Sequence, residues 1–166
     1  MQEIKEAGIK DIKLIKELAY TIWPVAYGKL VVPDQLTYML QLIYSEDALI
    51  NQLINQHHRF IIVYENGIAV GFASYSPKQE NNNDCYRLHK LYVLPGQQGK
   101  GTGKLMVNYI IDEIKKTGGT ILELNVKRDN PALHFYHKLG FTIESQVDID
   151  IGNGYFMRDY IMSLEL

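Results

Sequence analysis

Along the first part of the chain, Ile9, Ile12, Ile15, Ala19 and Ile22 recur three and four residues apart, the pattern of a helix with one buried face. Pro24 is expected to end or bend that helix. Leu36, Met39, Leu40 and Ile43 share a face of a second helix that starts after Pro33-Asp34, and a third is expected from Asp47 to Gln56. The period then changes. Phe60 to Tyr64 is a run of residues that favour strands, and Asn66-Gly67 supplies the positive φ angles of a tight hairpin before Ile68 to Tyr75 returns as its partner. Pro77 to Asp84 reads as a polar connecting loop, and a further strand runs from Tyr86 to Leu94 and stops at Pro95.

A loop with glycines at 96, 99, 101 and 103 follows, then a helix with Leu105, Met106, Tyr109, Ile110 and Ile114 on one face, closed by Gly118-Gly119. Ile121, Leu122, Leu124 and Val126 mark the next strand, so strand, loop, helix and strand form a parallel crossover unit. Asn130-Pro131 starts another helix, with Asn130 as its cap, and Gly140 ends it. Two closing strands, Phe141 to Ile151 and Phe156 to Leu164, join at Gly152-Asn153-Gly154. The order implies an α/β chain: a mixed, mostly antiparallel central sheet, a parallel unit in its middle, and helices on both faces.

Composition narrows this further. A chain of 166 residues, 46% apolar and 22% charged, is expected to form one domain over 1–166. No apolar run is long enough to span a bilayer, and Met1-Gln2-Glu3-Ile4-Lys5 lacks a secretory apolar segment, so the expected location is the cytoplasm, with no membrane partner. Cys85 is the one cysteine, which excludes an internal disulfide and leaves no metal site to expect. The net charge of -2 is uneven: residues 86 to 140 carry +5 and the remainder -7. Positive charge gathers around the glycine loop, either as ordinary solvated surface or as the surroundings of a polyanionic ligand. The absence of a basic stripe argues against nucleic acid.

Alternate glycines at 99, 101 and 103 let several backbone amides converge on one anion, and the helix that begins there adds the positive end of its dipole. A Walker loop ending at Lys104 would need glycine at Gln98 and a hydroxyl residue at Leu105. A dinucleotide fingerprint fails at Lys104 or at Met106. Gln98-Gly99-Lys100-Gly101-Thr102-Gly103 instead resembles the Gln/Arg-x-x-Gly-x-Gly/Ala loop of the GCN5-related N-acetyltransferase (GNAT) superfamily. Asn130 to Phe141 is similar to that family's Asn-x-x-Ala-x-x-x-Tyr-x-x-x-Gly-Phe segment, and the two motifs together cover residues 86 to 141.

The resemblance implies acetyl-CoA as the cofactor. The backbone of Leu91, Tyr92 and Val93 would pair with its pantetheine arm, and amides from Gln98, Gly99, Lys100, Gly101, Thr102, Gly103 and Lys104 would hold its pyrophosphate. Asn130 would contact the arm and Tyr136 would sit near the sulfur, with a helix cap and a core aromatic as the alternative readings of these two residues. Acyl transfer to an amine needs a base, because an ammonium of pKa about 10.4 has no free lone pair, and an acid for the departing thiolate, which Tyr136 could supply. Many relatives place a glutamate on the strand before the loop; Arg87 stands there. His89 lies on the same strand face and titrates in the right range, with water-mediated deprotonation the alternative.

In this family the acceptor is usually held by the first helices and last strands. Asp34, Asp148, Asp150 and Asp159 in those segments suit a small-molecule amine of positive charge, and the run from Tyr155 to Met162 loosely resembles bacterial spermine/spermidine acetyltransferases. Trp23, Tyr27, Tyr38 and Tyr44 are either core or walls of that pocket. Pairing of closing strands in a homodimer is common among relatives. A non-catalytic acyl-CoA-binding module and a protein N-acetyltransferase are the other readings.

Overall fold

The computed structural model describes all of residues 1–166. Its seven strands lie in one sheet in the order β1-β2-β3-β4-β5-β7-β6: β1 Gln2–Ala7, β2 Arg59–Glu65, β3 Ile68–Gln79, β4 Asn82–Val93, β5 Ile121–Lys127, β6 Thr142–Gly152 and β7 Tyr155–Glu165. Five helices accompany them: α1 Ile12–Tyr27, α2 Pro33–Tyr44, α3 Glu46–Ile54, α4 Thr102–Lys116 and α5 Ala132–Lys138. The β4 and β5 pair is parallel and the β1·β2, β2·β3, β5·β7 and β6·β7 pairs are antiparallel, which is the mixed α/β sheet that the pattern implies. The chain falls into two compact units, Met1–Ser76 with Lys90–Tyr109, and Pro77–His89 with Ile110–Leu166.

In the first unit, Ile12, Ile15, Ala19 and Ile22 are buried as their spacing requires, and Phe60 to Val63 are buried on both faces of β2. Trp23, Tyr27 and Tyr44 are also core. Trp23 packs 4.4 Å from Tyr27 and 5.3 Å from Tyr44 between ring centroids, and its indole N–H donates to the Tyr44 hydroxyl at 3.2 Å. In the second unit the core is Tyr86, Leu88, Ile110, Ile114, Leu122, Leu124, Val126, Phe141 and Met162.

Several elements depart from the sequence expectation. β1 was not foreseen: Ile4 is its one large apolar residue, because an edge strand with Glu3, Lys5 and Glu6 resists further pairing. Helix α1 runs through Pro24 to Tyr27; the proline lies on the exposed side near the helix end, where one lost backbone bond is tolerated. The polar stretch from Pro77 to Asp84 is no loop. β3 and β4 extend into it and turn at Glu80-Asn81, where Asn81 takes a φ of 63°. Leu105 is exposed, and Val107 takes its place on the buried face of α4.

Candidate active site

The loop after β4 belongs to the first unit. Gly99 and Gly101 have φ of 82° and 78°, and a Cβ at either would meet nothing within 4 Å. Backbone conformation, rather than crowding, therefore demands glycine there. Gly103 lies inside the first turn of α4, whose leading N–H groups at Thr102, Gly103 and Lys104 have no partner within the helix. Such donors, together with the positive end of the helix dipole, favour a negative group.

Side chains pin this loop to the start of the sheet. Gln2 donates to the buried Thr102 hydroxyl at 2.7 Å, and Gln97 donates to Glu65 at 2.9 Å. Lys100 also faces Glu65, at 3.7 Å across an exposed pair, while Lys104 stands exposed on the first turn of the helix.

The three residues before the loop are set from within the same unit. Tyr92 anchors its ring among Trp23, Tyr27 and Phe72, and its hydroxyl shares a 3.0 Å hydrogen bond with that of Tyr27. A Cβ on Gly71 would come within 2.8 Å of the Tyr92 carbonyl oxygen, so glycine is what lets β3 approach this end of β4. The parallel ladder with β5 runs from Cys85 opposite Ile121 to Leu88 opposite Leu124 and stops, whereas β4 continues through Leu91 and Tyr92 to Val93. His89, half-buried, is the first residue past that ladder.

Lys90 was not singled out from the sequence. It is 6% exposed, donates to Gln52 Oε1 at 2.7 Å, and lies over the Tyr44 and Phe60 rings. Burial pushes its amine from the ordinary 10.5 down to about 7. Burial, with the Lys90 charge second, also pushes His58 down to about 4.

In the second unit the N-cap position of α5 is held by Pro131, not by Asn130 as expected; Asn130 stands one residue earlier and accepts from Ala132 N at 2.9 Å. Tyr136 is buried, its ring 5.2 Å from Phe135 and 5.7 Å from Phe141. Arg87 donates to Glu123 at 2.9 Å and also bonds Asn125. Lys78 meets Glu123 at 3.1 Å, so this 8% exposed carboxylate is held by two cations. The sequence signal for Glu123 was one charge inside the apolar run of β5. Cys85 lies beside this group, and burial, followed by the Glu123 charge, pushes its thiol up, away from the reactive thiolate.

The four aspartates differ in their surroundings. Asp148 pairs with Arg128 at 2.6 Å, Asp150 accepts from Gly152 N at 2.8 Å, and Asp34 is exposed in the first turn of α2. Asp159 alone is buried.

The sequence profile of the Acetyltransferase (GNAT) family matches residues 16–141. The chain belongs to that family. Among its relatives, the L-methionine sulfoximine/L-methionine sulfone acetyltransferase of Salmonella typhimurium is 29% identical over 109 residues, 64% of this chain and 64% of that protein. The ribosomal protein bS18-alanine N-acetyltransferase of Haemophilus influenzae is 31% identical over 106 residues, 63% of this chain and 66% of that protein. The chain thus spans just under two thirds of the length of these relatives. The solved PaiA N-acetyltransferase of Thermoplasma acidophilum, in complex with coenzyme A, shares the fold with a TM-score of 0.83 at 24% identity, over 100% of this chain and 99% of that one.

Proposed function

We propose that the chain is an acetyl-CoA-dependent N-acetyltransferase whose acceptor is the α-amino group of a free amino acid or of a protein N-terminus. The observation that carries the first half is the loop from Gln98 to Lys104, where two glycines with positive φ lead into the first turn of α4, whose leading N–H groups have no partner within the helix. Pyrophosphate fits that donor set without needing a side chain. Leu91 to Val93, past the last partner on β5, offer backbone groups to pair with the amides of a pantetheine arm. Asn130 keeps its amide hydrogens for the same arm, since the bond from Ala132 N uses only its oxygen.

Acetyl-CoA supplies an acyl group activated as a thioester. The amide near Val93 is placed on this reading to donate to the carbonyl oxygen as negative charge develops there. Tyr136 returns a proton to the leaving thiolate.

For the acceptor, the names of the two relatives point to α-amino groups. Charge supports the same choice. A polyamine needs several free carboxylates, and here Asp148 and Asp150 are already engaged while Glu123 is held by Lys78 and Arg87. Calorimetry with acetyl-CoA, followed by thiol release with a panel of L-amino acids, short peptides and polyamines, tests the whole reading. Binding with CoA release for α-amino acceptors is expected. Failure to bind acetyl-CoA would overturn the cofactor assignment, release only with polyamines would overturn the acceptor, and binding without release for any amine would make the chain a non-catalytic acyl-CoA module.

A further inference from the structure

The end of β3 and strands β4, β5 and β7 carry a line of polar side chains in which every member but one is satisfied. Lys78 and Arg87 hold Glu123, Arg87 bonds Asn125, and Asn125 Nδ2 donates to Asp159 Oδ2 over a long 3.4 Å. Asp159 Oδ1 ends the line without a partner, shut off from solvent on a residue 6% exposed. A buried carboxylate oxygen without a donor is costly and calls for an explanation. An incoming ammonium brings the N–H that is missing.

We propose that Asp159 is the general base of the transfer, its Oδ1 accepting the acceptor ammonium's N–H and taking that proton. The assignment rests on the transferase reading above. Other carboxylates of the second unit already have partners: Glu123 is held by Lys78 and Arg87, Asp148 by Arg128, and Asp150 accepts from Gly152 N in its own turn. The groups facing Asp159 are Asn125 and Lys127 on β5, Arg128 just after it, Arg87 on β4, and Val147 opposite on β6, beside the Asp148 that Arg128 holds. Loss of water raises the Asp159 pKa, and Asn125, Lys127, Arg128 and Arg87 in turn pull it down. A carboxylate raised in this way is a stronger base than a solvated one.

The proton balance closes. One N–H proton passes to Asp159 Oδ1, and the freed lone pair forms the C–N bond as the C–S bond breaks. The second N–H proton ends on the thiol sulfur, and Asp159 releases its proton to water, so ammonium and thioester give amide, thiol and one proton.

The test uses the full chain, acetyl-CoA and the best α-amino acceptor of the panel. Wild-type kcat/KM is expected to fall with acidity along a limb set by Asp159. Asp159→Asn should lower kcat at pH 7 by about a hundredfold, leave acetyl-CoA affinity within about twofold, and regain rate at high pH as free amine appears. Asn125→Ala, which removes the hydrogen bond that lowers this pKa, should move the acid limb to higher pH; it serves as the reading if Asp159→Asn does not fold. An acid limb unmoved in both variants, or one lost only in His89→Ala, would overturn the assignment. If no amine in the panel releases CoA from the wild type, the transferase reading falls first and takes this assignment with it.

Discussion

Between Gln98 and Lys104 the working groups are backbone amides, set by two positive φ angles and the start of a helix. Between Arg87 and Asp159 they are side chains from neighbouring strands, set by one another. The first arrangement is local and is carried by residue type: only glycine takes those angles without strain, so it leaves a mark in any window of a few residues. The second depends on which strands become neighbours, and its members are far apart in the chain. A cradle for a ligand shared by many enzymes can be built the first way. The base proposed for the transfer depends instead on pairings that arise only on folding.

Perturbing each side sharpens that contrast. The largest effect is expected from Tyr136→Phe, which removes the phenol proton and keeps the ring against Phe141: kcat should drop by about a hundredfold with acetyl-CoA affinity nearly unchanged in calorimetry. Next is Gly101→Val. A branched side chain at φ 78° costs roughly 1–3 kcal/mol, and at about 1.4 kcal/mol per decade acetyl-CoA binding should weaken about five- to hundredfold. Lys104→Ala, which touches only an exposed charge, should cost about threefold. A loop in which Lys104→Ala hurts more than Gly101→Val would be a side-chain site, and the comparison would fail.

Lys90 is the first unit's counterpart to Asp159, a buried ionisable group, but one with a hydrogen bond to Gln52. Its folded pKa of about 7 lies below the unfolded value, so from about pH 7 to 10 the unfolded chain binds more protons and stability rises with pH. The penalty is present in full below about pH 7. Lys90→Met should therefore raise stability near neutrality by roughly 2 kcal/mol, net of the orphaned Gln52 oxygen, and flatten that rise in urea unfolding followed against pH. The smallest effect expected is that of His89→Ala, a near-silent change in kcat with the acid limb of the pH-rate profile still in place.

The fold was legible wherever periodicity or turn chemistry was strong. The crossover from β4 to β5, the Asn66-Gly67 hairpin and the buried stripe of α1 all follow from local pattern. What escaped was governed by pairing. β1 has almost no apolar signal and exists because β2 gives it hydrogen bonds, and the polar ends of β3 and β4 are strands because they meet each other. The same divide runs through the site. The glycine loop stands out in the sequence, whereas Glu123 looks there like an ordinary charge and Asp159 like one of four equivalent aspartates; only the pairing of β5 with β7 sets them apart.

Gly99 and Gly101 have a consequence in handedness. Both hold angles that an L residue resists, with open space where a side chain would stand. A D-alanine there, mirror image of the ordinary residue, would find those angles favourable and would strip away glycine's freedom in the unfolded chain. Cys85, the one cysteine, lies just upstream and offers a single joining point for a synthetic segment carrying such residues. The cradle should then be stiffened by inverting the chirality of two residues, without one new contact to its ligand.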